Sequence, residues 1–93
     1  MSKKTVSYSK RGAGKLPNSK PVVYRIKTTG GKTNYVGVAK KGRVQDRISE
    51  HIEDGKIPGA KVQIEQMPSI DAAKQKEANI ISRSEPKYNE QGK

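Results

Sequence analysis

The sequence predicts a small α+β domain in which a three-stranded antiparallel sheet is flanked by helices. Two short β-type runs flank Gly30-Gly31, a pair of glycines that can supply the positive φ angles of a hairpin turn. Residues 61–67 alternate polar and apolar side chains, as a strand does, and residues 43–54 and 70–83 repeat apolar side chains with a helical period. A length of 93 residues fits one domain.

The charge of the chain indicates what it binds. The net charge is +11 and the pI is about 10, so the protein attracts polyanions over long range, and nucleic acid is the first candidate. A basic, soluble surface without a specific partner is the open alternative. The absence of cysteine excludes disulfides and thiolate metal sites, and a single histidine excludes a multi-histidine zinc site. No apolar run approaches the ~20 residues of a membrane-spanning helix, so we expect no membrane association and a cytoplasmic location.

Residues 1–20 are predicted to form a disordered basic arm, and residues 21–93 the folded domain. The arm contains six Lys or Arg residues and no acid, and it is rich in Ser and Gly. Such an arm would hold phosphates without sequence preference, or would simply serve as a solubilising linker.

The predicted hairpin pairs strands at about 22–28 and 33–39. With a two-residue turn at the glycines, Ile26 pairs with Tyr35 and Tyr24 with Gly37. Side chains alternate across a strand, so both tyrosines then point to one face. Apolar residues occur on both faces of these strands, which favours a sheet covered on both sides.

The first predicted helix, over 43–54, buries Val44, Ile48 and Ile52 and ends before Gly55. Arg47 and His51 are four residues apart and therefore share one row of that helix.

The strand at 61–67 is expected to point Val62, Ile64 and Met67 inward. Ser69 is a suitable N-cap for the helix at 70–83. Glu77 lies within the apolar stripe of this helix, and a buried carboxylate needs a partner or a metal.

Taken in order, these residues resemble the GIY-YIG nuclease domain. The resemblance covers about residues 21–90 and rests on Val22-Val23-Tyr24, Tyr35-Val36-Gly37, Arg47-Ile48-Ser49-Glu50-His51, Glu77-Ala78-Asn79-Ile80-Ile81 and Pro86-Lys87-Tyr88-Asn89. The ending is most similar to that of the nuclease module of the bacterial excision-repair incision subunit. Two features depart from the family pattern: Val22 replaces the first glycine, and the segment containing Lys40-Lys41-Gly42 is about two residues longer.

The resemblance implies a metal-dependent DNA endonuclease of low intrinsic sequence specificity that leaves a 3′-hydroxyl and a 5′-phosphate. Tyr24 would act as general base on water, Tyr35 would assist it, and His51 would take up its proton. Arg47 would clamp the phosphate and help to lower the pKa of Tyr24, and Asn89 would hold the geometry. Glu77 would bind one divalent ion, Mg²⁺ or Mn²⁺. The implied nucleic-acid-binding residues are Lys40, Lys41, Arg43, Arg47 and Lys87.

Other interpretations remain open at this point. Each residue alone has a structural explanation: the tyrosines could fill a core that lacks Phe, and Arg47 and Glu77 could be surface charges. The chain could also be a non-catalytic nucleic-acid-binding module with the same fold, or a basic RNA-associated structural protein. We expect a monomer or weak dimer, and a partner protein could supply specificity.

Overall fold

The structure is a computed structural model that describes residues 3–55 and 57–84. Its elements in chain order are β1 (Lys3–Ser7), α1 (Lys10–Ala13), β2 (Val22–Lys27), β3 (Thr33–Ala39), α2 (Val44–Asp54), β4 (Lys61–Gln66) and α3 (Ile70–Ser84). The strands and helices expected between residues 22 and 84 are therefore present, within one or two residues of the expected bounds.

The sheet has four strands in the order β1-β4-β2-β3, and every neighbouring pair is antiparallel. The prediction of three strands is wrong, because the segment assigned to a disordered arm supplies the fourth. β1 pairs with β4 from Lys3↔Glu65 to Ser7↔Lys61, and Val6, opposite Val62, packs against the core. Its exposed lysines suit an edge strand, since charge discourages pairing with other chains.

The rest of this N-terminal segment is also folded, which corrects the expectation of a disordered arm. Ser9 caps α1 by accepting a hydrogen bond from Gly12 N at 3.2 Å. Ala13 and Leu16 are each only 1% exposed and belong to the main core. The side chain of Gln45 in α2 donates to Leu16 O at 2.7 Å, so the segment is fastened to that helix.

Hydrophobic clusters lie on both faces of the sheet, as the strand pattern predicts. The larger cluster packs α1 and α2 against one face through Val22, Tyr24, Ile26, Val62, Ile64, Val44 and Ile48. The smaller one packs α3 against the other face through Val23, Val36, Met67 and Ala73. Met67 is thus inward, but on the face opposite Val62 and Ile64. Helices α2 and α3 consequently flank the sheet from opposite sides.

The hairpin has the predicted tyrosine register but a different turn. Ile26 pairs with Tyr35 and Tyr24 with Gly37, whereas Lys27 pairs with Thr33, so the register shifts by one residue between them. Thr28 N donates to Lys32 O at 2.9 Å, which leaves a three-residue loop with Gly31 at φ 90°. The extra loop residue is compensated by a bulge at Asn34, whose side chain donates to Pro58 O at 2.9 Å.

The predicted ends of the two long helices are confirmed. Gly55 follows α2 with φ 69° and donates its N–H to His51 O at 3.1 Å. Ser69 precedes α3 and its hydroxyl accepts from Ala72 N at 3.1 Å. Within residues 3–55 and 57–84, no helix has the length and apolar character needed to cross a membrane.

Candidate active site

Tyr24 lies at the centre of the candidate site and is fully buried. It extends from β2 across Gly37 of β3, its antiparallel partner. A Cβ at position 37 would lie 2.6 Å from Cζ and from the hydroxyl oxygen of Tyr24, and 3.0 Å from Cε2 of Tyr35. Only a residue without a side chain lets the phenol occupy this position.

Three rings from β2, β3 and α2 surround one hydroxyl group. The ring centroids are 6.1 Å apart for Tyr24 and Tyr35, 5.7 Å for Tyr24 and His51, and 5.0 Å for Tyr35 and His51. The hydroxyl of Tyr24 is hydrogen-bonded to Nε2 of His51 at 2.7 Å. The helical spacing of α2 directs His51 toward the sheet at the position where the hairpin places the phenol.

Arg47 reaches the same phenol from the preceding turn of α2. Its charge and a side-chain hydrogen bond both act on Tyr24. Its Nη1 also donates to Oε1 of Glu50 at 3.1 Å, and 41% of its side chain is exposed. Arg47 therefore lies between the buried ring cluster and solvent, where it could meet an incoming phosphate.

The pKa of the Tyr24 phenol is raised well above its usual range. Burial is the largest cause, because it penalises the charged form, and Tyr35 adds to it. Arg47 lowers the pKa, as the sequence analysis expects, but it does not outweigh burial. Tyr24 is consequently a neutral phenol in this state.

The pKa of His51 is shifted in the opposite direction, below its usual value. Burial and the charge of Arg47 lower the pKa of its imidazole, against smaller opposing effects of Glu50 and Asp54. A neutral imidazole at physiological pH can accept a proton at Nε2 when Nδ1 carries the other one. The short hydrogen bond therefore links a proton donor to a potential acceptor.

Glu77 approaches the cluster from α3. Its charge acts on the Tyr24 phenol and raises that pKa further, so its carboxylate lies within electrostatic reach of the hydroxyl. Burial raises the pKa of Glu77 itself, and Lys74, one turn earlier on the helix, opposes the shift. The carboxylate is thus partly desolvated.

A basic pocket of about 250 Å³ adjoins the cluster. We call it the basic pocket; it is lined by Val38, Ala39, Lys40, Arg43, Arg47, Ile70 and Lys74. It lies between the end of β3, the start of α2 and the first turns of α3. Arg47 belongs both to this pocket and to the surroundings of Tyr24.

A solved structure shares this fold. The sequence matches no protein-family model and no curated protein. The crystal structure of the GIY-YIG N-terminal endonuclease domain of UvrC from Thermotoga maritima, bound to its catalytic divalent cation magnesium, superposes with a TM-score of 0.65. The two sequences are 25% identical, and the match covers 86% of this chain and 94% of that chain. This chain has the GIY-YIG fold.

Similarity to a GIY-YIG endonuclease domain makes nuclease activity the function to test. The resemblance noted from the motifs is confirmed at the level of fold, and the four-stranded sheet belongs to that fold. Similarity to a domain whose structure contains magnesium also supports a divalent cation here.

The chain's own residues are compatible with such an ion. The described residues contain no group of three or more His, Cys, Asp or Glu side chains suited to hold a metal. Mg²⁺ does not need one, since it commonly retains several waters and binds one or two carboxylates together with phosphate oxygens. Glu77, partly desolvated and within electrostatic reach of the phenol, is the carboxylate that fits this role.

Most of the residues singled out from the sequence come together. Tyr24, Tyr35, Arg47 and His51 lie together, although they come from β2, β3 and α2. Glu77 of α3 acts on the Tyr24 phenol through its charge and makes no contact with it among the described interactions. Among the expected nucleic-acid-binding residues, Lys40, Arg43 and Arg47 line the basic pocket, whereas Lys41 is exposed and does not. Asn89 and Lys87 lie outside the described residues, so their roles stay predictions.

Two residues of the site were not identified from sequence. Lys74 lines the basic pocket, and Glu50 accepts hydrogen bonds from both Arg43 and Arg47, at 3.3 and 3.1 Å. The three-residue spacing between Lys74 and Glu77 places both on one helix row and could have indicated the lysine.

Proposed function

We propose that this chain is a metal-dependent DNA endonuclease that hydrolyses phosphodiester bonds. The observation that carries the proposal is the convergence on the Tyr24 hydroxyl. The hydroxyl is hydrogen-bonded to Nε2 of His51 at 2.7 Å, and the charges of Arg47 and Glu77 both act on it. A structural core has little reason to place an imidazole and a guanidinium against one buried phenol with a carboxylate within electrostatic reach, whereas phosphoryl chemistry requires such groups.

In the proposed reaction Tyr24 takes a proton from the attacking water and passes its own proton to His51. The raised pKa of the phenol means that phenolate does not accumulate beforehand. The two transfers are therefore coupled: the phenol becomes a base as its proton moves to Nε2 of His51. The lowered pKa of His51 keeps the imidazole neutral and able to accept.

Arg47 supplies positive charge where the phosphate gains negative charge. A guanidinium can bind two non-bridging oxygens in parallel, which fixes the phosphorus relative to Tyr24. Tyr35, 5.0 Å from His51 between ring centroids, holds the imidazole in place and completes the wall of the site. Glu77 holds the divalent ion, which when bound would stabilise charge on the leaving 3′ oxygen.

Substrate binding must open the site, because Tyr24 is fully buried in this conformation. Among its neighbours, Arg47 is the one that is partly exposed and paired with a surface acid. A phosphate that attracts the guanidinium away from Glu50 would uncover the phenol and position the arginine in a single movement.

DNA is the proposed substrate, and sequence specificity is expected to be low. The basic pocket and the charge of +11 favour contacts to the sugar-phosphate backbone, which position a strand without reading its bases. One site cuts one strand, so a double-strand break would require two copies or two encounters.

The test is a plasmid-nicking assay with supercoiled DNA and Mg²⁺ or Mn²⁺. Wild type should convert the plasmid to the open-circular form, and Glu77→Gln and Tyr24→Phe should lower the rate by about 10²-fold or more. Asp71→Asn, which removes an exposed acid from the same helix, is the matched control and should retain activity.

The same assay distinguishes the proposed enzyme from the non-catalytic alternative. If the protein binds DNA but wild type and Glu77→Gln nick equally little across metals and pH, the enzyme proposal fails and the binding module remains.

A further inference from the structure

The basic pocket contains two lysines, Lys40 and Lys74, that form no close ion pair with an acid among the described residues. Arg43 pairs with Asp46 and Glu50, and Arg47 pairs with Glu50. Within residues 3–55 and 57–84, no ion pair involves Lys40 or Lys74. These two lysines come from different elements, the end of β3 and the second turn of α3, and they line one cavity. The charge of Lys74 also acts on Glu77 one turn away, but neither lysine is held by a close ion pair, so both ammonium groups are available to an anion in the cavity.

The size and lining of the pocket restrict which anion fits. A cavity of about 250 Å³ is larger than a single phosphate needs, and part of its wall is apolar, formed by Val38, Ala39 and Ile70. An apolar wall beside cations suits a group with a carbon face and an anionic end. The deoxyribose and phosphate of one nucleotide have this composition.

The position of the pocket relates it to the reacting phosphate. Arg47 lines the pocket and also contacts Tyr24, and Lys74 is one helical turn from Glu77. The pocket is therefore next to the candidate active site, on the same surface.

We propose that the basic pocket binds the neighbouring nucleotide of the cleaved strand, with Lys40 and Lys74 holding a second phosphate beside the one at Tyr24 and Arg47. This inference rests on the proposed nuclease function for its choice of DNA. It assigns Lys74 a positioning role: the lysine sets the strand in register so that the scissile phosphate meets the phenol.

The proposal is tested by binding, without metal and without cleavage. The probes are thymidine 3′,5′-bisphosphate, which carries two phosphates on one nucleotide, and the two thymidine monophosphates, measured by calorimetry in EDTA. Wild type should bind the bisphosphate at least about tenfold more tightly than either monophosphate, since a second charge-assisted phosphate contact contributes about that much.

The double variant Lys40→Gln/Lys74→Gln should lose the preference for the bisphosphate, and each single variant should lose part of that preference. Lys32→Gln/Lys76→Gln removes the same charge at positions outside the pocket and should keep the preference. Both lysines of the test variant are exposed, so folding should be intact, and equal urea midpoints check this.

The proposal is overturned if wild type shows no preference, if Lys40→Gln/Lys74→Gln keeps it, or if the control pair loses it equally. Inorganic phosphate binding as tightly as the bisphosphate would also overturn it, since the pocket would then be a simple anion site. If the protein shows the expected preference for the bisphosphate but nicks no DNA, the nucleotide-binding role of the basic pocket stands and only the proposed nuclease activity is refuted.

Discussion

Gly37 offers the sharpest test of how the candidate site is built. In Gly37→Ala the new Cβ would lie 2.6 Å from both Cζ and the hydroxyl oxygen of Tyr24. Gly37 does not have a positive φ angle, so the backbone accepts alanine and the effect is purely steric. The buried phenol must therefore shift, and a shift disturbs its 2.7 Å hydrogen bond with His51.

The expected loss of stability follows from two contributions. Overpacking a buried site costs about 1–3 kcal/mol, and a disturbed Tyr24–His51 hydrogen bond costs about 1 kcal/mol more. Alanine recovers about 1 kcal/mol through the unfolded chain, so the net loss is about 1–3 kcal/mol. With a urea m-value of about 2 kcal/mol/M, the middle of the range for a small domain, the midpoint should fall by about 0.5–1.5 M.

Urea unfolding followed by circular dichroism measures this shift, and the plasmid assay should show a parallel loss of nicking. Gly14→Ala is the matched control, because its Cβ would meet only carbonyl oxygens at 3.6 Å and its φ is −65°. An unchanged midpoint for Gly37→Ala, or an equal loss when Tyr24 is already alanine, would refute the reasoning.

Three further predictions follow from the same contacts. The acid limb of the pH–kcat/KM profile should lie below pH 6.5, because the pKa of His51 is lowered and neutral His51 must accept the proton. An acid limb above that pH would contradict proton transfer from Tyr24 to His51. Glu77→Gln should abolish nicking yet unfold at an equal or higher urea midpoint at pH 7. Because the pKa of Glu77 is raised in the folded protein, wild-type stability falls as the pH rises from the unfolded pKa of this group to its folded pKa. Glutamine removes this dependence, and urea midpoints of both proteins at pH 4 and pH 7 would reveal it. Asn34→Ala should lower the free energy of unfolding by about 0.5–1.5 kcal/mol, because it removes the 2.9 Å hydrogen bond to the carbonyl of Pro58, a residue exposed enough for water to replace the donor; a midpoint within error of wild type would argue against the bulge as a structural element.

The elements between residues 22 and 84 were predictable because local signals agree there. Ser69 and Gly55 mark helix ends through side-chain capping and a left-handed φ, which depend on short-range chemistry. The tyrosine register was predicted correctly from a two-residue turn that does not exist. A three-residue loop and the bulge at Asn34 together restore the same pairing, and this compensation is invisible in a pattern of alternating side chains.

The N-terminal segment was mispredicted because its stabilising contacts are distant in sequence. Val6 and Leu16 are isolated apolar residues among cations, and composition alone favours disorder. Leu16 becomes buried, and Val6 partly buried, only because β4 supplies a free edge and Gln45 a hydrogen-bond partner, at positions far along the chain.

The site was predictable in its members but not in its electrostatics. Arg47 and His51 share a helix row by spacing, and the hairpin fixes both tyrosines on one face. The pKa of Tyr24 depends on how completely its ring is buried, which no spacing reveals, and burial outweighs the nearby arginine. Lys74 was overlooked because a helical lysine is usually solvated.

The place of β4 between β1 and β2 has a consequence for biosynthesis. Lys3 finds its partner only at Glu65, so the first strand of a nascent chain remains unpaired until the fourth has been made. During that interval an exposed β segment could associate with other chains. Lys3 and Lys4, at the start of this strand, act as gatekeepers, because their charge disfavours pairing of the waiting strand with another chain.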